Sequence, residues 1–419
     1  MGLFKPKGEF SRNVLTLMTG TAIAQAIPIA ISPILTRIYT PEDFGVFALF
    51  VAIVGFVAVI ASGRYEQVTM LLKYDKDAIN IFALSLVLIF FTSIVSFFVI
   101  FVFKEEILQL LNNDLLENWL YFVPITVFFV ALFNLLSNCN NRTKHYKDIA
   151  KATIIKSLVL AITQILIGFL KNGFAGLIIG QILAQIFANI KLAKNIIKNK
   201  TLLTSISFEN MLVLAKKYIN FPKYNMLHAL LVNISSNLPI YLFTPFFGSA
   251  IVGKYSLAMM IVLATMSIIA TSTAKVYNQR LVELYNKKEN TYIFSLNIIK
   301  ALLKKILVPF IIFIVFAPQI FEIVFGEEWM DSGKYIQILS IYLILNVIVS
   351  IIAYIPSLLN LQSKAFKIAI IHFILLSIVL YFVSKNYDIY ISLFVMCAIN
   401  SLVLAYNFIW MTNALKVEN

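Results

Sequence analysis

The sequence predicts an all-α integral membrane protein of about twelve transmembrane helices, in two six-helix bundles related by a parallel internal repeat. Three observations predict it. The composition is too apolar for water, the cations gather in alternate loops, and short stretches recur at equivalent places in the two halves.

Apolar residues make up 60% of the 419 and charged residues 13%, against about 45–50% and about 25% in soluble domains. The mean hydropathy is +0.89. No interior of this size buries so much apolar surface, so lipid must solvate part of it. The net charge of +14 has a membrane explanation, because Lys and Arg collect on one membrane face. No basic domain lies outside the apolar spans, which argues against nucleic acid as a partner. Cys139 and Cys397 stand far apart in apolar stretches, as packing residues rather than a disulfide framework. The start, MGLFKPKGEFSRN, is short and basic and precedes a long apolar run, so an uncleaved first helix is expected.

A bilayer core of about 30 Å needs roughly 20 helical residues. Minima of charge place spans near 12–37, 44–65, 78–103, 118–140, 148–170, 173–193, 220–246, 251–275, 291–317, 334–360, 365–384 and 388–412. Pro28, Pro33, Pro124, Pro239 and Pro356 are tolerable inside membrane helices, where neighbours satisfy the freed carbonyls. With a cytoplasmic N-terminus and alternating loops, 26 of the 34 Lys and Arg fall on the cytoplasmic side. Arg37, Lys104, Lys171, Lys254, Lys334 and Lys385 fall outside. That asymmetry orients the chain with both termini in the cytoplasm. No loop is long enough for a catalytic domain. The longest, 194–219, holds SFENMLVLAKKY, an amphipathic stretch suited to the membrane interface. The expected domains are a bundle over 1–197, a cytoplasmic amphipathic linker over 198–219, and a second bundle over 220–419.

The repeat appears in two places. TRIYTPEDFGVFAL (36–49) matches TPFFGSAIVGKYSL (244–257), aligning Thr36 with Thr244, Tyr39 with Phe247 and Gly45 with Gly253. NNRTKHYK (140–147) matches NLQSKAFK (360–367), aligning Asn140 with Asn360, Lys144 with Lys364 and Lys147 with Lys367. An even number of spans per half makes the repeat parallel. Such repeats suit transporters, whose halves rock to open a cavity to alternate sides.

At these residues the sequence resembles the polysaccharide flippases, the O-antigen or lipopolysaccharide-biosynthesis transporters of the multidrug/oligosaccharidyl-lipid/polysaccharide exporter superfamily. LTRIYTPEDFGVFALF (35–50), GRYEQVTMLL (63–72) and NCNNRTKHYKDIAK (138–151) carry the resemblance. It implies translocation of a polyisoprenyl-pyrophosphate-linked oligosaccharide from the cytoplasmic to the outer leaflet of a bacterial inner membrane. The implied partners are that lipid-linked oligosaccharide, membrane lipids and the polysaccharide polymerase machinery. A sugar chain's hydroxyls need polar partners in hydrocarbon, and a pyrophosphate needs Lys or Arg.

Arg64, Tyr65 and Glu66 close span 2. Arg64 is a candidate for the pyrophosphate and Glu66 for a protonatable coupling group; the alternative is an interfacial charge set anchored by Tyr65. Lys156 lies inside span 5 as a cavity-lining candidate, with snorkelling as its alternative. Snorkelling is the expectation for Lys223, and pairing with Glu42 or Asp43 for Arg37. Gln181, Gln185 and Asn189 form one stripe on span 6, suited to a cavity or to interhelical hydrogen bonds. On the same helix Gly176 and Gly180 permit close packing.

GSAIVGKY (248–255) approaches a phosphate-binding loop, but it has Tyr255 where magnesium needs Ser or Thr and lacks the preceding strand. It is rejected as a nucleotide site. No histidine spacing suits a metal, and no cofactor is expected. Two further readings stay open. One is a cation-coupled drug exporter of the same superfamily. The other is an integral-membrane enzyme or scaffold of glycan assembly, against which the short outer loops argue.

Overall fold

A bilayer core offers the backbone no water, so a chain this apolar must satisfy its amides internally. The computed structural model describes residues 9–170, 173–197 and 204–417, and among them the chain does so with helices and no strand. Lys5, Lys7, Lys171, Lys198, Lys200 and the first part of the predicted linker (198–203) lie outside the described residues. Eleven described helices are long and apolar enough to cross a membrane, or twelve when one bent pair counts as a single span. The protein is a multi-pass membrane protein of the predicted all-α class.

Contacts divide the chain into two units, Met1–Ala250 and Ile251–Asn419. The first holds α1 (Glu9–Ile38), α2 (Pro41–Ile60), the one-turn α3 (Tyr65–Val68), α4 (Asp75–Leu111), α5 (Val123–Arg142), α6 (Tyr146–Gly168) and α7 (Ala175–Ile197). The amphipathic α8 (Phe208–Lys217) and α9 (Met226–Phe247) complete it. The division falls one helix later than the 197/220 boundaries that the repeat suggests. The reason is local: α9 packs on α2, where the Tyr241 hydroxyl donates to the Ala52 carbonyl at 2.7 Å.

The turn before α2 explains the motif TPEDFG. Thr40 caps the helix by accepting from the Asp43 amide, and Asp43 accepts in return from the Thr40 amide at 2.9 Å. Pro41 takes the first turn, where its missing N–H costs nothing. Gly45 then lets the backbone at Ser249 approach so closely that a Cβ would overlap the Ser249 carbonyl. The side chain of Tyr39 fills the space left by Gly168 and Gly176, and its hydroxyl donates to the Gln164 carbonyl at 2.6 Å. Burial and the neighbouring Asp43 push the Tyr39 phenol up to about 12, so it remains a donor. Inside, Leu49, Phe50 and Val54 of α2 pack with Val127 and Leu135 of α5 and Ile178 of α7.

α8 lies where the sequence places an amphipathic stretch. Leu214 is buried against α4, while Phe208, Leu212 and Val213 face outward. Asn80 of α4 ties down the preceding chain, accepting from the Ser207 amide at 2.8 Å.

The second unit holds α10 (Ser249–Asn286), α11 (Thr291–Val315), α12 (Ala317–Phe325), α13 (Met330–Ile352), the short α14 (Ile355–Leu358), α15 (Gln362–Asn386) and α16 (Ile389–Val417). α10 begins two residues before the unit does, and GSAIVGKY is simply its start, after Gly248 in the left-handed region (φ 83°). Lys254 of that stretch pairs with Asp331 of α13 at 2.7 Å, and Lys334 joins the same carboxylate at 2.9 Å.

The ninth predicted span is not straight. α11 and α12 meet at a 68° bend. Pro318 cannot donate to Ile314 and its ring would strike that carbonyl, so the helix stops at Val315. Gln337 of α13 satisfies the freed acceptors, donating to the carbonyls of Ile314 at 3.0 Å and Val315 at 3.2 Å. Both repeat pairs fall at matching places in the topology. Thr36 and Thr244 lie in the last turns of α1 and α9, and Asn140 and Asn360 lie at the turns into α6 and α15.

Candidate substrate site

Arg64 and Glu66 belong to a break in the first unit. α2 ends at Ile60, and the chain turns through Gly63 (φ 58°) and Arg64 (φ 63°), both left-handed. For glycine that conformation is free; for arginine it costs about 1–2 kcal/mol. The arginine side chain finds its partner nearby. Its guanidinium lies 3.5 Å from Glu66, which is only 4% exposed and also accepts from the Ser62 hydroxyl. The Thr69 hydroxyl donates to the Glu66 carbonyl at 2.7 Å. Arg64 Nε is buried without a partner.

Arg64 and Glu66 lie between two contacts with α4. The Ala61 carbonyl accepts from Thr92 at 3.2 Å, while Tyr65 and Val68 of α3 pack with Ala78 and Ile81 in the first two turns of that helix. Beyond α3 the Leu72 carbonyl accepts from Arg142 at 3.2 Å, and Arg142 pairs with Asp75 at the start of α4. Here α3 packs on α4 and α5, and the Tyr65 hydroxyl donates to the Ala215 carbonyl of α8 at 2.9 Å.

Lys156 is the eleventh of the 23 residues of α6, deeper than two turns. It is half-buried, and its ammonium lies 5.0 Å from the ring centroid of Phe133 on α5. A cation over an aromatic face inside a bundle is held by the ring quadrupole. Among the described residues it makes no ion pair. One turn along α5, the Phe129 carbonyl accepts from the Asn189 amide of α7 at 2.8 Å. Gln185 and Asn189 are buried, and the Oε1 and Oδ1 acceptors of these two side chains have no partner. Gln181 is only half-buried, so the predicted stripe turns from the packed face at its N-terminal end. The close packing of α6 and α7 runs through Gly176 and Gly180: a Cβ at Gly176 would strike the Tyr39 hydroxyl and crowd Ile167, and one at Gly180 would strike Gln164.

Asn195 fixes a common level for these helices. Its amide donates to Asn140 Oδ1 at 2.7 Å and Asp148 Oδ2 at 3.0 Å, and Lys191 pairs with Asp148 at 2.8 Å. From that level Lys156, Asn189 and Gln185 stand about 12, 9 and 15 Å along their helices. These heights differ by up to about 6 Å. The Arg64–Glu66 pair flanks α5 through α3, and no hydrogen bond or ion pair between described residues joins it to these three side chains. Ser62 and the Asn140–Asp148–Lys191–Asn195 cluster were not singled out from sequence. The spacing of Ser62 to Glu66, one helical turn, was the available signal for the first; the second depends on α5 meeting α7.

The Lys223 side chain lies 5.3 Å from the ring of Tyr224 at the start of the segment leading into α9. Arg37 donates to the Pro33 carbonyl of its own helix at 2.7 Å. Asp43 is engaged in the cap of α2.

Solved structures share this all-helical membrane fold. An outward-facing MATE multidrug-resistance transporter of the MOP superfamily superposes with a TM-score of 0.63 at 13% identity, covering 97% of this chain and 96% of that one. The inward-facing form of a MATE transporter gives 0.62 at 15%, covering 96% and 95%. A MOP superfamily transporter from Pyrococcus furiosus, described by a binding pocket of reverse polarity, gives 0.64 at 12%, covering 98% and 97%. No curated protein sequence matches the chain. The polysaccharide biosynthesis protein family matches residues 34–334, and the chain belongs to that family.

Proposed function

We propose that this protein flips a polyisoprenyl-pyrophosphate-linked oligosaccharide from the cytoplasmic to the outer leaflet by alternating access. It would serve cell-surface polysaccharide biosynthesis, such as O-antigen and lipopolysaccharide assembly, in a bacterial inner membrane with both termini cytoplasmic. The observation that carries the reading is membership of the polysaccharide biosynthesis family across residues 34–334 on a transporter fold. The chemistry is compatible with it. Arg64 offers a partly exposed guanidinium for a pyrophosphate, and Lys156 a second cation at depth. Gln181, Gln185 and Asn189 offer amides to sugar hydroxyls, with two acceptors still unused. Glu66 is the carboxylate positioned to couple the cycle to a proton through its contact with Arg64.

The likeness to MATE transporters supports a second reading, a cation-coupled exporter of small molecules. Deleting the gene separates the two. The flippase reading expects lipid-linked oligosaccharide to accumulate on the cytoplasmic face of spheroplasts, with dye and drug susceptibility unchanged. Unaltered lipid-linked pools with raised drug susceptibility would favour export.

A further inference from the structure

The second unit carries a groove that no part of the transport reading uses. α10 and α11 are joined by a short turn and touch at its end, where Tyr277 stacks on Phe294 with centroids 5.8 Å apart. The hydroxyls of Tyr277 and Ser295 hydrogen-bond there at 2.8 Å. Beyond that contact a cavity of about 360 Å³ opens, walled by α10, α11 and Val347 of α13. It is lined by Ile261, Met266 and Ile269 on one side and by Ile306, Phe310 and Phe313 on the other. By helical rise the wall runs from about 12 to about 24 Å past the Tyr277 contact on α10.

Only two lining residues carry polar side-chain atoms. The Thr265 hydroxyl is spent on the Ile261 carbonyl of its own helix at 2.8 Å. The other is Lys305, exposed, and among the described residues it makes no ion pair. No carboxylate lines the groove. Lys305 is also the last charge on α11, because residues 306–321 are uncharged. Lys300 and Lys304 lie just before it, exposed, and raise the local positive potential. The arrangement is a cation at the foot of an apolar trough.

We propose that this groove seats one anionic phospholipid of the surrounding membrane, its phosphate on Lys305 and an acyl chain against Ile306, Phe310, Phe313 and Met266. Charge complementarity selects the headgroup, since basic pockets between membrane helices attract anionic lipid. The apolar wall selects the tail. The lining offers no free hydroxyl or amide to the glycan of a lipid-linked oligosaccharide. The bound lipid fills the space between two helices that meet near their turn, so it stiffens the second unit.

The test is native mass spectrometry of the purified full-length protein in detergent. It is titrated with phosphatidylglycerol or phosphatidylcholine of identical acyl chains. The wild type is expected to retain phosphatidylglycerol about five-fold more tightly at its strongest site, the effect of one lysine near a membrane surface. Lys305→Gln abolishes that preference and Lys305→Arg keeps it. In Phe310→Trp, brominated phosphatidylglycerol quenches the new indole more than brominated phosphatidylcholine does. Equal retention of the two lipids by the wild type overturns the proposal, as does an unchanged preference in Lys305→Gln or equal quenching by both lipids.

Discussion

At the scale of single residues, the family motif turns out to serve the fold and the less conspicuous RYEQ stretch to carry the charges. Thr40, Pro41 and Asp43 are spent on starting α2, and Gly45 on a close backbone approach. Arg64 holds an unfavourable left-handed conformation beside a buried glutamate. Two substitutions separate strain from charge. Arg64→Gly should relieve the backbone and leave thermal stability in detergent equal or higher, yet flipping should fall roughly ten- to hundred-fold. That is the loss of a charged hydrogen bond worth about 1.5–3 kcal/mol. Arg64→Ala should lose flipping equally while keeping the strain. Unimpaired flipping in both would remove Arg64 from the site. Its type and place in the chain were legible in the sequence, but its surroundings were not. They come from the pairing of Ala61 with Thr92 and the packing of Tyr65 and Val68 on Ala78, Ile81 and Leu214, and no local pattern encodes these contacts.

At the scale of elements, small residues and proline decide where helices meet and stop. A Cβ on Gly45 would overlap backbone rather than a flexible side chain, so Gly45→Ala should destabilise by about 1–3 kcal/mol. A lowered melting temperature of the purified protein checks this, and an unchanged one would mean that α2 can shift away from Ser249. Gln337→Leu should leave the carbonyls of Ile314 and Val315 unpaired at the 68° bend, costing about 1–3 kcal/mol. Faster amide exchange at the end of α11 is the expected signature. The sequence showed an apolar run over 291–317 and a proline just beyond it, but not the bend, because the compensating amide comes from another helix. The polar stripe on α7 was legible as a face by its spacing of four. Which of its members are buried depends on α5, so Gln185 and Asn189 pack inside while Gln181 does not.

At the scale of the whole molecule, composition and loop charge were sufficient for the fold class, since both follow from solvation rather than from specific contacts. The unit boundary was less legible, because α9 follows the repeat in sequence but packs on α2. The orientation remains a prediction of the charge asymmetry. In a protein with Cys139 and Cys397 replaced, Glu106→Cys should react with an impermeant maleimide in intact cells. Lys287→Cys should react only after permeabilisation. The reverse pattern would invert the chain and the direction of transport with it.

The central claim is translocation of a lipid-linked glycan, and reconstitution tests it most directly. Purified protein is placed in liposomes that hold a polyprenyl-pyrophosphate oligosaccharide, and a non-permeant lectin reports how much becomes accessible. The account predicts protein-dependent exposure beyond the fraction accessible in empty liposomes, lost in Arg64→Ala and with its pH dependence removed in Glu66→Gln. Accessibility equal to that of protein-free liposomes, with several such glycans, would contradict it.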